Sequence, residues 1–172
     1  MDAYECLVTR GSVRQYNGRK IEKDILEKIV YAGQCAPTGM NRQPLAFVVV
    51  QDEKTISLLS KLNAQIIGKP IDPFYGCSAV IVVFASSQDS PTYLYDGALA
   101  MGNLMNGAHA LGVSSCWIHR AKEVFELEEG KALMEKWGLS SSFEGIGNCI
   151  LGYSDVASQK GDRTSQVVWV CE

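Results

Sequence analysis

Two groups of residues have the types and spacing to do chemistry. The first is the run Ala36-Pro37-Thr38-Gly39-Met40-Asn41-Arg42-Gln43-Pro44. Two prolines pin it, and Asn41 and Gln43 place two carboxamides two residues apart. Each carboxamide carries both a donor and an acceptor, which suits a planar heterocycle whose edge alternates C=O, N–H and C=O. Taken alone, Asn, Gly and Pro are also ordinary turn residues, and a plain helix–strand loop is the simpler reading. The second group is Arg10-Gly11-Ser12-Val13-Arg14, where two arginines four apart flank a hydroxyl. Arg presents a planar fork of N–H groups that matches a phosphate. Its bland alternative is a solvated basic patch.

Other candidates carry less. His119 invites an acid–base role because an ordinary imidazole titrates near neutrality. Cys116 beside Trp117 reads as core rather than nucleophile. No Ser/His/Asp or Cys/His triad can be argued, and no catalytic side chain is assigned. The glycines of Gly145-Ile146-Gly147-Asn148-Cys149-Ile150-Leu151-Gly152 lack the G-x-G-x-x-G spacing and no helix follows, so a dinucleotide fingerprint is rejected.

The elements that must position these residues follow from periodicity. Residues 2–9 read as a short helix with Tyr4, Leu7 and Val8 as its apolar stripe. Residues 21–35 read as an amphipathic helix on Ile25, Leu26, Ile29, Val30 and Ala32, stopped by Pro37. The runs 45–50 and 78–87 are continuously apolar and β-branched, so each is expected to be a strand buried on both faces. Between them lie a second amphipathic helix over 52–64 and a loop over 68–76. That loop carries Phe74 and Tyr75 as exposed aromatics, either a lid or an ordinary excursion. A long helix from about 93 to 111 is dense in Gly and Ala. Each interior Gly costs about 1 kcal/mol relative to Ala, which points to close approach of another backbone, in the core or across a dimer. Residues 112–119 read as a third strand, 123–137 as one charged helix, 145–153 as a fourth strand, and 166–170 as an exposed final strand that pairs within the subunit or with a partner.

Composition sets the class. The 172 residues are 47% apolar and 20% charged with a net charge of −3, which fits one globular domain spanning residues 1–172. Scattered Lys and Arg argue against a nucleic-acid footprint. No segment reads as a signal peptide or membrane span. The six cysteines show neither C-x-x-C nor a zinc spacing, so no metal is expected and a reduced, cytoplasmic setting is the simplest expectation.

In chain order, Arg10-x-Ser12-x-Arg14, Asn41-x-Gln43-Pro44, the small-residue helix, Gly112-x-x-x-Cys116-Trp117 and the tail Arg163 resemble the nitroreductase family, nearly end to end. The resemblance implies an α+β fold, a mixed β-sheet flanked by helices, in a homodimer whose C-terminal strand reaches the partner. It implies FMN at the dimer interface, reduced by NADH or NADPH, with ping-pong transfer of hydride through flavin N5 to nitroaromatic, quinone or related acceptors. Arg10, Ser12 and Arg163, with Lys160 as a further candidate, would meet the phosphate and ribityl, and Arg14 the N1/O2 side of the ring. Pro37, Thr38, Asn41 and Gln43 would come from the other subunit, while Trp117 and His119 would pass the ring near N5. Asn63 matches a family asparagine at the pyrimidine edge. Departures are Gly11 in place of a second basic residue, Leu45 in place of an aromatic, and His119-Arg120 beside N5. A flavin-binding store or sensor without efficient turnover is the alternative.

Overall fold

Strand β2 (Ala79–Ser86) is the centre of the fold, with every residue buried. In the computed structural model, which describes residues 1–158 and 160–171, alternate side chains of β2 enter two separate cores. Val80, Val82 and Phe84 face one way; Ala79, Ile81, Val83 and Ala85 face the other. A strand sandwiched in this way must be apolar at every position, as its sequence is.

The sheet order is β1-β2-β4-β3, with β1 (Leu45–Val50), β3 (Ser114–Ile118) and β4 (Phe143–Gly152) all paired antiparallel to their neighbours. The parallel component of the expected mixed sheet is confined to one bridge, Ser12 to Ser115, on the outer edge of β3. A register shift between Val83 and Phe84 leaves Ile146 without a partner on β2. This bulge resets the alternation along β4, so Ile146 and Cys149 share the same core.

Helices cover both faces, giving an α+β architecture. One core is closed by α2 (Lys23–Gln34) and α4 (Tyr93–Ala110). The other is closed by α3 (Glu53–Ile67), α5 (Ala121–Glu126) and α6 (Glu128–Lys136). There Phe84 meets Phe125 edge-on at 4.7 Å, and Trp137 completes the aromatic cluster. The short α1 (Ala3–Thr9) packs on α4 with Cys6 as its one buried residue; Tyr4, Leu7 and Val8 are exposed.

Three expectations are corrected. β1 is an edge strand and mostly half-buried, because nothing within the subunit covers its outer side. The single helix over 123–137 is two helices, broken where Leu127 adopts ψ 155°. Gly130 explains the break: a Cβ there would overlap the Val124 carbonyl, so α6 turns to pack directly on α5. Phe74 is buried rather than exposed, pinned in the core with Leu62 and Cys77, so the 68–76 loop is anchored and of its two aromatics Tyr75 alone is exposed. Of the two pairings open to residues 166–170, the one within the subunit is not seen among the described residues, and Val167, Val168, Trp169 and Val170 are all strongly exposed.

Candidate functional site

Arg10 caps the C-terminus of α1, and its Nη1 is buried without a hydrogen-bond partner among the described residues. A buried guanidinium nitrogen with no acceptor is unfavourable, and an anion beside it removes the deficit. The tail brings Lys160 and Arg163 to the same place. Lys160 Nζ donates to the Val8 carbonyl, and burial together with the charges of Arg163 and Arg10 holds its ammonium below the usual lysine range. Among the described residues, none of Arg10, Lys160 and Arg163 has a carboxylate within ion-pair distance. Three cations drawn together with no ion-paired carboxylate repel one another, and an anion seated among them relieves that repulsion.

Ser12 leads from this cluster to the sheet. It bridges Ser115, and the Val13 amide donates to the Ser115 carbonyl at 3.0 Å. From Ser115, β3 runs along the sheet edge through half-buried Trp117 to exposed His119, about 13 Å for four residues. Arg14 is exposed beside this path. The glycines of β4 serve packing: a Cβ on Gly147 would overlap Trp117 Nε1, and one on Gly145 would lie 2.7 Å from the Ala121 backbone. At the far end of β3, buried Asn63 donates Nδ2 to the His119 carbonyl at 2.7 Å while its Oδ1 has no partner. Buried Asn148 reaches the Ile118 carbonyl at 3.4 Å and likewise leaves Oδ1 free.

The carboxamide loop is built, not casual. Met40, Asn41 and Gln43 all take positive φ, near 50°, which is uncommon outside glycine and needs outside support. That support is Asp96, buried in the first turn of α4. It accepts from the Gly39 amide at 2.9 Å, from Ser90 Oγ at 3.0 Å and from Thr92 Oγ1 at 3.1 Å. Thr38 Oγ1 accepts from the Gln43 amide, and Gln43 Nε2 donates to Asn41 Oδ1 at 3.1 Å. This pairing leaves the Asn41 amino group and the Gln43 carbonyl oxygen side by side, one donor and one acceptor, on an exposed loop with Pro37.

Within one chain the two groups are apart. Asp96 holds the carboxamide loop near the start of α4, and His109 touches α1 near its end through a 2.9 Å contact with Thr9 Oγ1. Thirteen helical residues separate them, about 20 Å. The structure therefore brings together Arg10, Ser12, Lys160 and Arg163 with the β3 edge, and leaves Pro37, Thr38, Asn41 and Gln43 elsewhere. His109 and Asp96 were not legible as site residues: each is a polar residue in a helix whose neighbours are small or apolar, and only tertiary contact reveals its role. Among the described residues no cluster could hold a metal ion, and no helix is long and apolar enough to cross a membrane. Burial pushes the Cys77 thiol up to about 12 and Cys149 well above the usual thiol range, so neither of these two is a ready nucleophile.

Comparison with known proteins adds the lineage. Residues 7–75 match the Nitroreductase family. A protein of Archaeoglobus fulgidus, named "Putative NADH dehydrogenase/NAD(P)H nitroreductase", is 33% identical over 157 residues, 87% of this chain and 85% of its own length. A Methanothermobacter thermautotrophicus protein of the same name is 27% identical over 122 residues; the match takes in 68% of this chain and only 60% of that relative. In three dimensions the chain is similar to a Bacteroides fragilis nitroreductase crystallised with bound FMN, with a TM-score of 0.86 at 22% identity and full coverage of both chains.

Proposed function

The chain belongs to the nitroreductase family, and from that premise we propose that it is an FMN-dependent NAD(P)H oxidoreductase working as a homodimer. The observation that carries the reading is the cation cluster of Arg10, Lys160 and Arg163, which makes no ion pair among the described residues and holds Arg10 Nη1 buried and unpartnered there. A phosphate monoester supplies the missing charge and acceptors. Bound FMN would supply a two-electron carrier that takes hydride from a nicotinamide and passes it to an acceptor.

The chain's own residues have defined tasks in this reading. Arg10, Lys160 and Arg163 hold the phosphate, with Ser12 beside it, and the β3 edge guides the ligand towards Trp117 and His119. Arg14 offers a fixed positive charge to the ring, favouring an anionic reduced form electrostatically. The donor–acceptor pair left by Asn41 and Gln43 fits an imide edge, with Pro37 and Thr38 shaping the loop around it. Because that loop lies about 20 Å along α4 from the cations, both groups reach one ligand only if two subunits contribute. A two-fold pair would also cover Tyr95 and Leu99 on α4, Tyr4 and Leu7 on α1, and the Val167–Val170 tail, all exposed in the subunit. Acceptors of the nitroaromatic or quinone type are the class that a flat, exposed ring face admits.

The test is the visible spectrum of purified protein before and after anaerobic addition of NADH or NADPH. Flavin bands that bleach are expected, and the donor that bleaches them faster is the preferred one. Bands that persist with both donors would leave a flavin-binding store or sensor. Bands absent and not restored by soaking in FMN would overturn the proposal.

A further inference from the structure

His109 stands inside the cation cluster. It lines a pocket of about 130 Å3 together with Gly11, Ser114, Ser115 and Ser158. Gly11 cannot contribute a side chain there, because a Cβ would lie 2.5 Å from Ser158 Oγ. The imidazole is therefore the remaining titratable group on this side of the cluster. The charged groups that face it are Arg10 and Lys160, with Glu5 from α1 as the single carboxylate.

Its tautomer follows from one hydroxyl. Thr9 Oγ1 lies 2.6 Å from the Glu5 carbonyl, which can only accept, so the hydroxyl hydrogen goes there. What Oγ1 turns towards His109 Nε2, at 2.9 Å, is a lone pair, and Nε2 must carry the hydrogen. A further proton can enter only at Nδ1. Burial, and then the charges of Arg10 and Lys160, keep the imidazole below its ordinary value, with Glu5 opposing. An anion seated among these cations offsets most of their positive charge and so eases protonation of the imidazole.

We propose that His109 is a proton-linked member of the anion site, taking a proton from solvent at Nδ1 as a phosphate monoester settles against Arg10 and Lys160. FMN is then held more tightly at mildly acidic pH and loosened as pH rises. The inference rests on the reading of this cluster as the FMN phosphate site. The sign is fixed by linkage. The free imidazole titrates below about 6.5 and the anion-bound one higher, so between the two the complex holds more protons and affinity falls with rising pH. Ionisation of the FMN phosphate, with a second pKa near 6, acts the opposite way, so the imidazole itself must be read.

The experiment is an NMR titration of histidine ring carbons in the wild-type protein, free, with FMN, and with riboflavin, which lacks the phosphate. The chain has only two histidines, and a His119→Gln variant assigns them. The His109 midpoint should rise with FMN and stay put with riboflavin, while His109→Gln should weaken FMN binding about tenfold at pH 6 and little at pH 8. FMN that binds without moving the His109 midpoint, or a His109→Gln loss independent of pH, would overturn this inference and leave the FMN reading intact. FMN that does not bind at all would overturn both.

Discussion

The Gly39 amide donates to Asp96 Oδ1 at 2.9 Å, so a buried carboxylate on α4 fixes the start of the loop that presents Asn41 and Gln43. Asp96 also collects Ser90 and Thr92. It has no basic partner among the described residues, and its charge is met by these donors. Asp96→Ala should strand three donors and lower subunit stability by about 1–3 kcal/mol. Asp96→Asn, which keeps an acceptor, should lose less. Urea unfolding followed by circular dichroism measures the first effect. A fluorescence titration with FMN should show weakened binding in the same order. Equal FMN affinity in all three proteins would separate the loop from the cofactor.

The cation cluster gives the most direct prediction. Arg10→Ala and Arg163→Ala should each weaken FMN retention by about 1.5–3 kcal/mol, the range for a hydrogen bond to a charged group. The loss should shrink for riboflavin, which offers these arginines no phosphate. Equilibrium dialysis against both ligands decides it. Unchanged FMN affinity in both variants would remove the cluster from the site.

Much of this layout is legible in the sequence because burial leaves a pattern. β2 is apolar at every position since it has a core on each side, and α2 shows its stripe of Leu26 and Ile29 since only one face is covered. β1 is equally apolar yet lies at the sheet edge, because a run of Val reports strand propensity without saying how many neighbours the strand has. The break at Leu127 is invisible locally: it depends on Gly130 resting against the Val124 carbonyl, a contact made only on folding. Arg10 and Arg163 lie too far apart in the chain for spacing to join them, and resemblance alone linked them. His109 carried no signal at all, since one imidazole among Gly and Ala looks like an ordinary helix surface.

Asp72 should control acid stability of the 68–76 loop. Burial acts to raise its carboxyl, but hydrogen bonds from Ser60 Oγ and from the Phe74 and Gly76 amides outweigh it and hold the group below the usual carboxylate range. The folded value is depressed, so the stabilisation is complete above the unfolded value near 3.9 and is lost as pH falls through the lower folded value. Asp72→Asn should cost about 1 kcal/mol at pH 7, the low end of the range for a partly exposed group. Its gap from wild type should close as pH falls through the lowered folded value. Urea melts at pH 7 and at acid pH test this, and a gap independent of pH would refute it.

The glycines of α4 separate folding from assembly. A Cβ on Gly107 would lie 2.7 Å from the Ala32 Cβ, so this glycine is needed for α4 to pack on α2. Gly102 is different: among the described residues nothing beyond its own helix backbone lies within 4 Å of where its Cβ would be. It follows Tyr95 and Leu99 along the exposed stripe of the helix, at i+7 and i+3. Gly107→Ala should therefore lower subunit stability by about 1–3 kcal/mol through overpacking. Gly102→Ala, judged on the lone subunit, should stabilise the helix by about 1 kcal/mol. If α4 instead meets its two-fold copy there, the added methyl keeps the backbones apart and weakens the dimer. Sedimentation equilibrium at falling protein concentration, paired with thermal melts, distinguishes the two. The expected result is earlier dissociation for Gly102→Ala and normal association with a lower melting temperature for Gly107→Ala. A Gly102→Ala protein that melts higher and dissociates no earlier would mean that this face of α4 is not where two subunits make close contact.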